Sequence, residues 1–238
     1  MITATDLTKY YDPMIVLDQL TFTVRPGEIY CLLGPNGSGK STTIDLLFGF
    51  IKPVRGSAAV CGFDIVTQSA EVRKHAALVS DRTALYDGLS ALEHIALFAA
   101  LSLRKDLNRP DYVRLLQSVS LPEGSFDQKV GKFSKGMKHK LTMAIAILKD
   151  APVLLVDEPA GGLDPVSTYE LVYLLAKMRT RGKTILMATH DALRAHQLAD
   201  TVGVLRDGVL ILQLRRPEFL HEGLKTIYLR HLAMNCRP

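Results

Sequence analysis

"GPNGSGKST", residues 34–42, decides how this chain folds. It follows the apolar run "IYCLL" at 29–33 and leads into a helical pattern, so a buried strand passes through a glycine loop into a helix. The order G-x-x-x-x-G-K-[ST] in that setting reads as a phosphate-cradling loop. Gly34, Gly37 and Gly39 let the backbone turn tightly enough for successive N–H groups to face phosphate oxygens. Pro35, Asn36, Ser38 and Thr42 complete the loop. Lys40 is placed to bring a point charge to the β- and γ-phosphates, and the Ser41 hydroxyl can ligate Mg²⁺. The bland alternative is a glycine turn that merely starts a helix, and Lys-Ser-Thr in register behind an apolar strand weighs against it. Ser38 is no nucleophile elbow, because G-x-S-x-G fails at Asn36.

A second element, "VLLVDE" at 153–158, ends an apolar strand in two carboxylates. Asp157 at the strand end is placed to hold Mg²⁺, directly or through water. Glu158, one residue on, can polarise the water that attacks a γ-phosphate. A strand end open to solvent is the competing reading. His190 closes "TILMATH". Alone it fits a hydrogen-bonded structural histidine, yet a neighbouring strand of the same sheet would carry it to the phosphate edge, since α/β sheets bind ligands at their strands' carboxyl ends.

Outward from these elements, the first thirty residues alternate as short strands joined by a turn at Pro26-Gly27. Between about 84 and 120 the period is helical, opened by a Ser90/Glu93 capping box with Leu92, Ile95, Ala96 and Ala99 at helical spacing. A further helix runs from Ser134, with Met137, Leu141, Ala144, Ile145 and Leu148 on one face. Strands at 153–156 and 184–188 flank a helix at about 166–181, an order that implies a parallel sheet covered by helices. The expected layout is one domain over 1–238: an α/β core from 1–81 and 151–214, a helical lobe at 82–150 and a tail at 215–238. In the tail, Leu224, Ile227, Tyr228 and His231 share a helical face, which packs on the core or meets a partner.

The 238 residues carry 47% hydrophobic and 22% charged residues, ordinary for a globular chain long enough for one large core. No apolar run reaches the ~18–20 residues of a membrane span, and "MITATDLTKYYD" has neither a basic n-region nor an apolar h-region. Three cysteines without C-x-x-C suggest neither a disulfide framework nor a zinc site, so a reduced cytoplasmic chain is expected. The net charge of +5 is scattered and lacks interleaved aromatics, so no nucleic-acid partner is expected. One basic stretch is odd. "FSKGMKHK", residues 133–140, starts a helix with a serine cap and then Lys135, Lys138 and Lys140, with no acid before Asp150. Cations at a helix N-terminus are unfavourable by ~0.3–1 kcal/mol each. Either an anion is awaited there or the surface is simply solvated.

The succession "GPNGSGKST", "FSKGM", "VLLVDEP", "GGLD" and "ATH" resembles the ATP-binding cassette (ABC) ATPase family over about residues 2–213. The resemblance implies a P-loop NTPase core with an N-terminal antiparallel β portion and an inserted helical lobe, taking ATP and Mg²⁺. Tyr11 in "LTKYYD" resembles the residue that stacks on adenine, with Tyr10 the alternative by one place. "FSKGM" resembles the family signature, in which Ser134 and Gly136 hold the γ-phosphate of an ATP bound to the other subunit of a dimer. A side chain introduced at Gly136 is then expected to meet that phosphate. "GGLD" resembles the loop that crosses the dimer interface and ends in Asp164; His190 resembles the switch histidine. The signature departs from the family pattern at Lys135 and Met137, where glycine and glutamine are usual. The form S-K-G-M is similar to bacterial exporters whose ATPase and membrane subunits are separate chains. Asp81 stands where the family commonly has a glutamine that touches Mg²⁺ and relays nucleotide state, and it is the third expected metal ligand. The implied partners are a second ATPase subunit and a polytopic membrane permease, at the inner face of the membrane. The implied work is ATP hydrolysis that drives transport, of the export type; the rival is a soluble ABC ATPase of nucleic-acid maintenance, translation or iron–sulfur assembly. A single cassette, and only 94 positions between Lys40 and Ser134, count against that rival.

Overall fold

The computed structural model describes residues 1–80, 85–102, 106–159, 161, 163–220 and 222–234. Its centre is a six-stranded sheet built from β3 (Ile29–Leu33), β6 (Ala76–Ser80), β7 (Val153–Asp157), β8 (Thr184–Thr189), β9 (Thr201–Arg206) and β10 (Val209–Arg215). The order is β10-β9-β3-β8-β7-β6, and all pairings are parallel except β9 with β10. β3, β7 and β8 are buried along their whole length, as expected where helices or a second sheet cover both faces.

The period of two sorts their side chains. Cys31, Leu33, Leu154 and Val156 pack with one apolar cluster, while Tyr30, Leu32, Val153 and Leu155 pack with the other. The second cluster is closed by a four-stranded antiparallel sheet of order β2-β1-β4-β5, from β1 (Ile2–Tyr11), β2 (Met14–Val24), β4 (Arg55–Val60) and β5 (Phe63–Asp64), together with α1 (Lys40–Leu47) and α2 (Ser69–His75). The turn at Pro26-Gly27 therefore joins two sheets rather than two strands of one.

The first cluster is covered by helices, among them α3 (Ala91–Leu101), α4 (Arg109–Ser118), α5 (Lys135–Lys149), α6 (Pro165–Thr180) and α7 (Ala192–Leu198). Where one helical period is expected over 84–120, two helices form, each with its own capping box: Ser90 with Glu93, and Asn108 with Asp111. The second cap is legible as Asn-Arg-Pro, since Pro fits the first turn and not a helix interior. α5 starts at the expected Ser134 cap, whose hydroxyl accepts from the Met137 amide. In the tail, Leu224, Ile227 and Tyr228 are buried and their helix, Leu224–Met234, lies against α7, so the packing alternative is the one realised.

Candidate functional site

Three parallel strands end together, and the chemistry sits just beyond them. β3 runs into the glycine loop, β7 ends at Asp157 beside Glu158, and β8 ends one residue before His190. Gly34 donates its amide to Thr189 O at 3.2 Å and Glu158 donates its amide to Ala188 O at 3.0 Å, so the three strand ends are stitched to each other.

The glycine loop is tightly packed at its two ends, Gly34 and Gly39. A Cβ at Gly39 would stand 2.6 Å from Leu17 Cδ2 and 2.7 Å from Val16 O, and Gly39 has φ +101°, which L side chains rarely adopt. A Cβ at Gly34 would stand 2.2 Å from Leu205 O. Intrahelical bonding begins with the Thr43 amide, which reaches Gly39 O at 2.9 Å. The N–H groups of the first turn have no intrahelical acceptor, and with the helix dipole they suit an oxyanion. The buried Ser38 hydroxyl has no hydrogen-bond partner among the described residues.

Lys40 is buried to 5% exposure, and its ammonium donates to the Gly34 and Pro35 carbonyls at 2.9 Å each. It stands 3.4 Å from Glu158 Oε1. The other carboxylate oxygen, Oε2, accepts from His190 Nδ1 at 2.9 Å. Glu158 is thus held between a cation and an imidazole, on a backbone with φ +46°. A non-glycine residue in that region costs of order 1–3 kcal/mol and clusters at functional sites. Beside it, the Ser41 hydroxyl donates to Asp157 Oδ1 at 3.0 Å. A hydroxyl and a carboxylate on adjoining elements are a hard-oxygen donor pair that fits Mg²⁺, which keeps waters and takes substrate phosphates rather than an all-protein cage. Among the described residues no group of three or more His, Cys, Asp or Glu side chains converges as a metal site.

Lys40, Ser41, Asp157, Glu158 and His190 are therefore brought together, and the solvent-exposed strand end is not what Glu158 occupies. Pro35, Asn36 and Gly37 form the exposed tip of the loop, and Thr42 lies in the first turn of α1. Tyr10 and Tyr11 both end β1 largely exposed, with Lys9 Nζ 4.9 Å from the centre of the Tyr11 ring. The following strand, β2, backs the loop through Val16 and Leu17. Asp81 lies outside the described residues; the preceding Ser80 is in register with Asp157 across β6 and β7.

Ser134 and Gly136 open α5, and Gly136 lies beside the start of α6. Two expectations change here. The lysines of "FSKGMKHK" do not all await an external anion: Lys138 pairs with Asp87 at 3.2 Å and Lys140 with Glu170 at 2.6 Å. Acids distant in sequence offset the helix-end repulsion, which local reading misses. Nor does Gly136 face outward. A Cβ there would meet Ser167 Oγ at 3.1 Å and Asp164 Oδ2 at 3.9 Å, so a side chain at 136 points into its own subunit. Asp164 caps α6, accepting from the Val166 and Ser167 amides at 3.0 Å each and from the Ser167 hydroxyl at 2.6 Å. The Ser167 hydroxyl first, and the two amides with it, hold the Asp164 carboxyl below its ordinary range. Sequence reasoning misses Ser167, although Asp164-x-x-Ser167 carries the spacing of a helix cap.

The arrangement suits a nucleoside triphosphate, and the comparisons with known proteins point the same way. Residues 17–161 match the family profile described as ABC transporter. The chain is 37% identical over 201 residues to the Nod factor export ATP-binding protein I of Burkholderia pseudomallei, covering 84% of this chain and 66% of that protein. It is 33% identical over 211 residues to the doxorubicin resistance ATP-binding protein DrrA of Mycobacterium tuberculosis, covering 88% and 63%. The chain thus spans slightly less than two thirds of the length of these relatives. A solved ATP-binding subunit of an ABC transporter superposes with a TM-score of 0.84 at 29% identity, over 97% of this chain and 98% of that one. This chain belongs to the ABC transporter family, as an ATP-binding cassette.

Proposed function

We propose that the chain is the ATP-binding and ATP-hydrolysing subunit of a transporter, working on a separate membrane permease in export. The observation that carries this is the joined set Lys40–Glu158–His190 beside Ser41–Asp157, at the open ends of three parallel strands. Lys40 binds the β- and γ-phosphates, for which it would exchange its two loop carbonyls. Glu158 accepts a hydrogen bond from the attacking water, polarising it and aiming its oxygen at the γ-phosphorus, while His190 fixes the carboxylate through Oε2. Ser41 and Asp157, with Asp81 as a third oxygen, would hold Mg²⁺, which neutralises developing phosphate charge when bound. Tyr11 stacks on adenine. Ser134 and Gly136 serve the ATP of a second cassette, so that two nucleotides close a dimer and hydrolysis reopens it.

The names of the two relatives, which speak of export and drug resistance, support export. A cleft of about 1000 Å³ supports a permease contact. It is lined by apolar Phe48, Phe98, Leu101 and Ile145 and by basic Arg73 and Lys149, and it reaches Asp157, so a docked segment would adjoin the metal ligands. Among the described residues no helix is long and apolar enough to cross a membrane, and the subunit would sit peripherally on the inner face. Expression with the native neighbouring genes tests the reading: the chain should fractionate with membranes and bring down a polytopic subunit. Recovery free of membranes and of any such subunit, with ATPase activity intact, would refute it.

A further inference from the structure

The start of α5 comes close to the head of α6 at Asp164 and Ser167, with the Ser167 hydroxyl nearest to where a Cβ at Gly136 would stand. The Ser167 Oγ would stand 3.1 Å from a Cβ at Gly136, a spacing that requires the hydroxyl to give by a few tenths of an ångström, and its own Cβ would stand 3.7 Å away. That Oγ is not free to turn aside, because it donates to Asp164 Oδ2 at 2.6 Å while Asp164 Oδ1 holds the Val166 and Ser167 amides. One turn further along both helices, Lys140 pairs with Glu170 at 2.6 Å, so the seam has a second fastening. Between the two contacts lies a small cavity of about 120 Å³ bordered by Gly136, His139, Lys140, Ser167 and Glu170.

We propose that Ser167 is a positioning residue for the shared ATP site: its hydroxyl sets the spacing between the Gly136 backbone and Asp164 at the head of α6. The two elements that one subunit presents to its partner's nucleotide then move as one body. This rests on the dimer reading above. Glycine at 136 is required by Ser167 of the same subunit, not only by a phosphate of the other. The helix itself would favour alanine over glycine at 136, so damage from Gly136→Ala cannot come from a weakened helix.

The test is a double-mutant cycle on turnover and on ATP-driven dimerisation, the latter in a Glu158→Gln background. Ser167→Ala should lower kcat roughly threefold to tenfold, the range set by one solvent-exposed side-chain hydrogen bond, and leave ATP affinity of the monomer within about twofold. Gly136→Ala should do similar damage. In the double variant the added Cβ keeps only ordinary contacts, with the Cβ at 167 at 3.7 Å and with Asp164 Oδ2 at 3.9 Å, so its turnover should be no lower than that of Gly136→Ala alone. Multiplying losses in the double variant would overturn the proposal, since Gly136 would then answer to the phosphate independently. So would full activity of both single variants. If the Glu158→Gln parent itself fails to dimerise with ATP, the dimer reading fails first, and that failure is visible before any change at Ser167.

Discussion

Glu158→Gln separates binding from chemistry, and the surroundings of the carboxylate say why. In the wild type it stands 3.4 Å from Lys40 Nζ, a gross attraction of about 5 kcal/mol at an effective dielectric of ~20. Much of this is offset by desolvation, and the glutamate side chain is 27% exposed, so the net value is far smaller. Removing the charge does not strand Lys40, which keeps the Gly34 and Pro35 carbonyls at 2.9 Å. The carboxamide introduced at position 158 can still accept from His190 Nδ1, so the variant should fold and keep its loop geometry. With its anionic competitor gone, Lys40 should bind phosphates as tightly as before or more so. A carboxamide cannot accept a proton from water, so turnover should fall by ~10²-fold or more.

Two assays check this together: nucleotide affinity by equilibrium dialysis, and phosphate release at saturating Mg·ATP. The variant should also accumulate as an ATP-dependent dimer on gel filtration. Phosphate release within about threefold of wild type would remove Glu158 from the mechanism. Loss of ATP affinity with loss of turnover would show instead that the Lys40–Glu158 pair is structural, and the chemical role argued from the geometry would fall.

Lys40→Ala should weaken ATP binding itself, measured by the same dialysis, because its charge acts on ground-state phosphates; unchanged affinity would contradict that. Asp81→Ala should lower Mg²⁺-dependent turnover and Asp81→Gln should restore much of it by returning an oxygen, whereas an unchanged Mg²⁺ titration for Asp81→Ala would remove the metal role. Acid should loosen the helical lobe through Glu93, whose carboxyl is pulled to about 2 by the Ser90 amide first, then by Lys129 and the Ser90 hydroxyl. Its contribution is complete above the ordinary glutamate range and is lost as pH falls toward 2, so the Tm gap between wild type and Glu93→Ala should shrink over that window. A gap that stays constant through it would assign the cap no ionic part.

How much of this is legible in the sequence depends on how far apart the interacting residues lie. The loop at 34–42 is readable because its chemistry is contiguous: the glycines, Lys40 and Ser41 act within one turn. Asp157, Glu158 and His190 are readable as strand ends, since a parallel sheet brings such ends to one edge. The positive φ of Glu158 is not, because no side-chain pattern encodes it. The lysines of α5 mislead for a related reason. Asp87 lies 51 residues from Lys138, and nothing within a helical period announces that pairing. Gly136 shows the limit most sharply. A glycine beside an expected phosphate site is naturally credited to the phosphate, since close backbone approach is what glycine permits. In the fold its missing side chain answers to Ser167, 31 positions later in the chain and held in place by the cap of another helix. A residue type can therefore be required twice at one position, once by a ligand and once by a neighbour. Only the packed fold reveals the second requirement, and the cycle between Gly136 and Ser167 weighs it against the first.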